Sequence, residues 1–286
     1  MKVSEIYKSG KRSLSFEIFP PKKEEELRDI DDTLDVLCEL KPDFISVTFG
    51  AGGSSNCNRT IELARKIKDK YKVEPVVHLT CLCYDKKEID EFARVLNDSG
   101  IENILALRGD DREDIPRKTD FMHASDMAAY LKEKNDFCIL GACYPEKHPE
   151  SEDLISEIHN LKKKTSAGTE VLLSQLFFDN KIFYDFKEKC RIADINTPII
   201  PGIMPVVKAT QIKRMVALCN ASFPERFQKI VDLYADRKEA LFDAGMSYAL
   251  SQIIDLIASG TDGIHLYTMN NPCIARRICE GIKNII

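Results

Sequence analysis

Short runs of branched and aromatic residues recur along the chain, each followed by a stretch whose apolar positions fall at helical spacing. The first run, Ser13-Leu14-Ser15-Phe16-Glu17-Ile18-Phe19, ends in Pro20-Pro21. Two consecutive prolines remove two backbone donors and stop a strand. Residues 22–40 then carry Leu27, Ile30, Leu34, Leu37 and Cys38 on one helical face. Further strands are predicted at 44–48, 75–82, 103–107, 137–142, 170–176, 198–203 and 263–267. Helices are predicted from about 54 to 70, with Ser54-Ser55-Asn56 as cap, and then at 86–98 and from about 125. Others follow at 151–167, 181–193, 210–220, 247–259 and 272–285. Alternation of this kind calls for a parallel sheet with helices outside it. Eight such units in 286 residues suit an α/β fold closed as a (β/α)8 TIM barrel better than an open sheet. No linker or low-complexity stretch interrupts residues 1–286, so a single domain is expected.

A barrel of this type carries its chemistry at the C-terminal ends of the strands and in the loops that follow. The unusual polar residues fall there: Glu17, Thr48, His78, Arg108, Asp110, Tyr144, His148, Gln175 and Tyr267. Glu17 sits among aromatic and branched neighbours, where burial favours the neutral carboxyl and makes it a ready general acid. By itself, a Glu paired with a cation or turned to solvent is the favoured reading, and the other polar stretches at the strand ends turn the balance toward the acid. In Leu107-Arg108-Gly109-Asp110 the glycine permits close backbone approach to a ligand, flanked by a cation and a carboxylate. The same Arg-Gly-Asp would serve adhesion only on an exposed, secreted loop, and a plain turn remains an alternative. His78, inside Val76-Val77-His78-Leu79-Thr80, reads as a hydrogen-bonded core residue rather than a metal ligand. His159 and His265 carry no recognisable signal.

Composition narrows the partners. With 44% hydrophobic and 30% charged residues the chain can build a sizeable core, and a net charge of -5 argues against nucleic acid. No apolar run approaches the roughly 20 residues that span a bilayer, and the N-terminus lacks a secretory core, so a cytoplasmic protein is expected. Ten cysteines are scattered without a CxxC pair. Cys81 and Cys83 read as same-face positions of a strand, where a metal site is conceivable. Small buried hydrophobes kept reduced are the favoured reading, and no metal is expected. Neither a GxGxxG turn nor a GxxxxGK[ST] loop occurs. A phosphate-bearing cofactor would therefore rest on helix N-termini and isolated basic groups such as His148 and one of Lys162-Lys163-Lys164, at least two of which read as a solvated helix face.

Several stretches together resemble the methylenetetrahydrofolate reductase family. They are Phe16-Glu17-Ile18-Phe19-Pro20-Pro21, Ser46-Val47-Thr48-Phe49-Gly50-Ala51, His78-Leu79-Thr80-Cys81, Ala106-Leu107-Arg108-Gly109-Asp110 and Tyr144-Pro145-Glu146 with His148-Pro149-Glu150. Ser174-Gln175-Leu176-Phe177-Phe178-Asp179, Ile200-Pro201-Gly202-Ile203-Met204-Pro205 and His265-Leu266-Tyr267-Thr268-Met269-Asn270 complete the set. They run in order over nearly the whole chain and resemble the short bacterial form, a catalytic barrel without a regulatory domain.

The resemblance implies an FAD enzyme that reduces 5,10-methylenetetrahydrofolate to 5-methyltetrahydrofolate. A reduced nicotinamide, NADH or NADPH, gives hydride to the flavin and leaves before folate binds. Glu17 is implied as the acid, Thr48 as its hydrogen-bonding neighbour, and Asp110 as the carboxylate near flavin and pterin. FAD contacts are implied for Phe49, His78, Leu107, Arg108, Gly109, Asp110, His123, Ala142, Tyr144, His148, Glu157, Asn160 and Lys164. Substrate contacts are implied for Gln175, Gln211, Met215, Tyr267 and Asn271. His123 stands where the family often has Tyr, Glu157 where it has Asp, Met215 where an aromatic residue is expected and Asn271 where Arg is expected. These departures bear on how nicotinamide is held. Relatives of this type also receive electrons from a partner subunit, and the family suggests a homo-oligomer. Two other readings stand beside this one: a flavin-binding electron-transfer subunit inactive alone, and a barrel that uses pterins without flavin. Asp126 is expected to cap the helix that begins near it.

Overall fold

A computed structural model describes residues 1–21, 27–49, 54–111, 116–210, 212, 215, 219 and 221–286, leaving aside the side chains of residues 27 and 54–57. Strands β1 (Ser13–Ile18), β2 (Phe44–Val47), β3 (Glu74–Thr80), β4 (Asn103–Leu107), β5 (Cys138–Cys143) and β6 (Thr169–Ser174) each pair in parallel with the next. Then come β7 (Ile199–Ile200), β8 (Gly202–Ile203) and β9 (Gly263–Tyr267), which gives the order β7-β6-β5-β4-β3-β2-β1-β9-β8. The predicted strand at 198–203 is thus divided at Pro201, which has no N–H to give the ladder. Its first half pairs with β6 and its second with β9, so one broken stave closes the ring. The result is a TIM barrel of nine parallel strands alternating with helices.

Eight of the helices wrap the outside or close its ends as α1 (Ser4–Lys8), α2 (Leu27–Glu39), α3 (Ser54–Tyr71), α4 (Lys86–Asp98), α5 (Ala124–Lys134), α6 (Leu154–Ser166), α7 (Asn180–Ile192) and α8 (Glu225–Tyr234). Two more, α9 (Lys238–Ala258) and α10 (Pro272–Ile282), complete the described set. The predicted helix at 210–220 falls largely outside the described residues, although Thr210, Ile212, Met215 and Cys219 are helical. Helix α8 was not expected, yet Phe227, Ile230, Val231 and Tyr234 have the helical period. Helix α9 starts at Lys238 rather than at residue 247 and runs through Gly245, where a Cβ would lie 1.8 Å from the Val206 carbonyl oxygen. Among the described residues, no helix is long and apolar enough to cross a membrane.

Strand alternation divides the core in two. Leu14, Phe16, Ile18, Ile45, Val47, Val77, Leu79, Ile104, Ile264 and Leu266 point outward into the layer shared with the helices. Phe44, Val76, Leu105, Leu140, Val171, Leu173 and Ile200 point inward, and α1 plugs that inner cluster with Val3 and Ile6. The plug is fixed by the Val3 N–H, which donates to Asn103 Oδ1 at 2.7 Å, and by the Ser4 hydroxyl, which donates to Glu170 at 2.7 Å. The N-terminal end of the barrel is thereby sealed, and the opposite rim is left open.

Candidate active site

A cavity of about 910 Å³ opens at the C-terminal ends of the strands. Glu17 reaches it because Phe16 and Ile18 take the outward positions of β1. Ser13, Ser15 and Glu17 therefore share the lumen side, and the apolar surroundings expected for Glu17 belong to the other face of its strand. Its actual neighbours are imidazoles: Glu17 Oε2 lies 3.6 Å from His78 Nε2 and 3.9 Å from His265 Nε2, with the side chain only 12% exposed. Register accounts for this meeting, because β1 pairs Ser15 with His265 on one side and Glu17 with Ser46 on the other. His265 is fully buried; its Nδ1 shares a hydrogen bond with Ser15 Oγ at 2.8 Å, and its Nε2 lies 3.5 Å from Ser46 Oγ. The Glu17 backbone is held by the Thr268 hydroxyl, which donates to its carbonyl oxygen at 2.7 Å.

His78 differs from the hydrogen-bonded core residue expected of it. Its Nε2 is buried without a hydrogen-bond partner. Burial pushes its pKa down to about 4, opposed by the Glu17 carboxylate and reinforced by His265, so the ring is neutral at pH 7. The contact with Glu17 is accordingly not an ion pair. A neutral, unpartnered ring nitrogen facing a cavity is available to a ligand or to a carboxyl proton.

The rim is built by the loops after β4 and β5. Gly109 has φ +84°, and a Cβ there would stand 3.0 Å from the Thr80 side chain. Arg108 makes two bonds to Glu150, at 2.5 and 2.6 Å, while Asp110 is exposed beside it. Tyr144 and His148 meet edge-on at 4.8 Å. His148 Nδ1 accepts from the Glu150 N–H at 3.1 Å, which leaves Nε2 as the protonated nitrogen of a neutral ring. Burial lowers the pKa of that ring, and the Arg108 guanidinium adds to the effect.

Of the residues implied for FAD, Phe49, His78, Leu107, Arg108, Gly109, Asp110, Ala142, Tyr144 and His148 line the cavity. Glu157 and Lys164 support that wall from behind. The buried Glu157 accepts from the His148 N–H at 3.1 Å and from the Ser151 hydroxyl at 2.6 Å. Lys164 Nζ donates to the Ala142 carbonyl at 2.5 Å, and burial lowers its pKa. His123 and Asn160 are exposed and away from the cavity lining; Asp126 caps α5 by accepting from the His123 and Met122 N–H groups.

On the substrate side, Thr48, Gln175, Met215 and Tyr267 line the cavity. The Tyr267 hydroxyl donates to the Ser174 carbonyl at 2.7 Å, and Gln175 Oε1 accepts from the Leu176 N–H at 2.8 Å. Asn271 instead caps α10 through the Cys273 N–H at 3.1 Å, and Gln211 lies outside the described residues. Cys81 and Cys83 part company because β3 ends at Thr80: Cys81 packs into the outer core and Cys83 lines the cavity. Among the described residues no group of three or more His, Cys, Asp or Glu could hold a metal. Sequence reasoning missed Ser15, Ser46 and His265. Counting in twos from Glu17 and Tyr267 would have put Ser15 and His265 on the lumen face.

The sequence comparisons point to one family. The family described as methylenetetrahydrofolate reductase matches residues 2–283. Over 273 residues the chain is 36% identical to the 5,10-methylenetetrahydrofolate reductase of Escherichia coli strain K12, covering 96% of this chain and 91% of that one. It is 33% identical over 284 residues to methylenetetrahydrofolate reductase (NADH) 1 of Arabidopsis thaliana, with 94% of this chain and 48% of the plant chain covered. The chain thus spans about half the length of the plant relative. A solved Clostridium thermocellum protein described as uncharacterized, which binds two copies of 5-methyl-5,6,7,8-tetrahydrofolic acid, superposes with a TM-score of 0.67 at 16% identity. That alignment covers 99% of this chain and 100% of the other, a likeness of fold.

Proposed function

The chain belongs to the methylenetetrahydrofolate reductase family, and from that premise we propose that it reduces 5,10-methylenetetrahydrofolate to 5-methyltetrahydrofolate with FAD as its resident cofactor. The observation that carries this reading is Glu17, set between two imidazoles in a cavity whose opposite wall is apolar.

The residues present suit a flavin dinucleotide. Leu105, Leu107, Ala142 and Leu173 offer a dry wall to a flat ring, and Arg108 with the His148 Nε2–H offers donors to an anion. The Gly109 turn brings backbone close, and the orphaned His78 Nε2 calls for a polar partner from a ligand. Bound there, the flavin would supply the hydride relay between a reduced nicotinamide and the folate.

The chain's own work is on the folate. The five-membered ring opens when its leaving nitrogen takes a proton, and Glu17 donates it. His265, held by Ser15 and Ser46, positions the carboxyl group from below. Thr48, one residue past the end of the neighbouring strand, lines the same cavity and would tune the acid by hydrogen bonding. Ring opening leaves a cationic iminium, which the Asp110 carboxylate stabilises before hydride arrives at carbon.

The test is two half-reactions on the purified chain. It is expected to carry flavin, to be bleached by NADH or NADPH, and to be reoxidised by methylenetetrahydrofolate without oxygen. Bleaching that requires an added partner protein would turn the reading toward an electron-transfer subunit. A colourless protein that turns over a pterin would overturn the flavin assignment.

A further inference from the structure

We propose that Glu146 is a positioning residue: it clasps Ser222 across the rim and holds Met215 and Cys219, on the far side of the cavity, in place for substrate. The idea rests on the function proposed above for what the cavity binds, but the clasp itself is a matter of geometry. Both carboxylate oxygens of Glu146 accept the Ser222 N–H, each at 2.9 Å, and the Ser222 hydroxyl donates to the same carboxylate. Among the described residues no cation pairs with Glu146, so the hydrogen bonds described for its side chain all go to Ser222. Charge-assisted bonds of this kind are short and directional. Because the pair is exposed, they fix a position more than they add stability.

What the clasp joins gives it meaning. Glu146 sits between Tyr144 and His148, which form one side of the cavity. Ser222 comes three residues after Cys219, which with Met215 lines the other. Beyond Ser222 the chain is anchored by aromatic packing: Phe223 meets Phe178 edge-on at 5.1 Å, and Phe227 stacks on Tyr248 at 3.8 Å. The Tyr248 hydroxyl donates to the Phe178 carbonyl at 2.7 Å. Ahead of Met215 in the chain, Val206 is pressed against Gly245. Phe223 and Val206 are therefore each tied to the outer scaffold, and Glu146 adds a tie at Ser222 across the mouth.

Cys219 reports on that wall. It is partly buried, and burial pushes its thiol pKa up to about 11. Loosening the wall would raise both its accessibility and its thiolate fraction. The experiment is iodoacetamide labelling of the protein as purified, with Cys219 and the exposed Cys273 read by peptide mass spectrometry. In Glu146→Ala the Cys219:Cys273 labelling ratio is expected to rise about three- to tenfold. Ser222→Ala keeps the backbone N–H and should show a smaller rise; it carries the test if Glu146→Ala fails to fold. The KM for methylenetetrahydrofolate should rise by a similar factor with kcat retained, a split that general destabilisation would not produce. An unchanged labelling ratio in both variants, or an unchanged KM, overturns the proposal. If the wild type reduces no folate, the functional reading fails, and the labelling ratio still decides whether the clasp exists.

Discussion

Strands β9, β1, β2 and β3 send His265, Ser15, Glu17, Ser46 and His78 into the lumen; β4, β5, β6 and β7 send Leu105, Leu140, Leu173 and Ile200. Both walls have the same pleat, the same parallel pairing and the same outward-facing apolar residues against the helices. The contrast shows that, above the inner cluster that Phe44 and Val76 join, the outward half of each strand is enough to hold the barrel, which frees the inward positions near the rim for other uses. One wall uses that freedom for packing. The other buries polar groups, which costs free energy unless each finds a partner. Ser15 and His265 satisfy one another, whereas His78 Nε2 is left bare beside Glu17. A polar atom left bare beside an acid marks the wall where a ligand is expected to complete the bonding.

Exchanging the two kinds of damage is the strongest way to break this contrast. Glu17→Gln should slow folate reduction by about 10²- to 10⁴-fold, the usual range for a general acid. Bleaching of the flavin by nicotinamide should stay within a few-fold of wild type, as stopped-flow absorbance would show. Equal loss of both half-reactions would reject Glu17 as the acid. Leu140→Ala, at a fully buried position on the apolar wall that does not line the cavity, should do the reverse. Its expected cost is about 2–5 kcal/mol of stability by urea unfolding, with kcat nearly unchanged. If Leu140→Ala instead lowered kcat and spared stability, the division of labour between the walls would be wrong.

The barrel was legible because its signal is repeated. Branched runs at 103–107 and 263–267 and the helix at 86–98 coincide with the observed elements, since each is bounded by turn residues or, as with Asp85 and Glu88, by a capping box. Polar residues at the C-terminal strand ends marked the rim for the same reason. What could not be read was the support around the acid. Ser15 and Ser46 look like ordinary strand residues, and His265 becomes informative only once β9 is known to lie beside β1. That adjacency joins the two ends of the chain and leaves no local trace. The expectation that Glu17 lies among apolar side chains failed because a run of neighbours in sequence alternates between two faces in space. Cys81 and Cys83 failed for the opposite reason: strand alternation was assumed past Thr80, where the ladder ends.

The smallest expected effect concerns pH and tests whether the polar wall is as dry as its geometry implies. In the fold, burial holds His78 near 4 against an ordinary value of 6.5; Glu17 opposes that shift and His265 adds to it. Between those two values the unfolded chain binds a proton that the folded chain refuses. The contribution of a neutral His78 is therefore fully present above about pH 6.5 and is lost as pH falls toward 4. At its limit this amounts to roughly 3 kcal/mol. His78→Gln removes the titrating group, so its melting temperature should fall less steeply than that of the wild type between pH 6.5 and 4. Thermal melts of the two proteins across that window give the difference directly, since other acid-sensitive groups are common to both. Parallel curves would mean that the folded protein already accepts a proton at His78, and then the imidazole beside Glu17 would be a partner cation rather than a neutral neighbour awaiting a ligand.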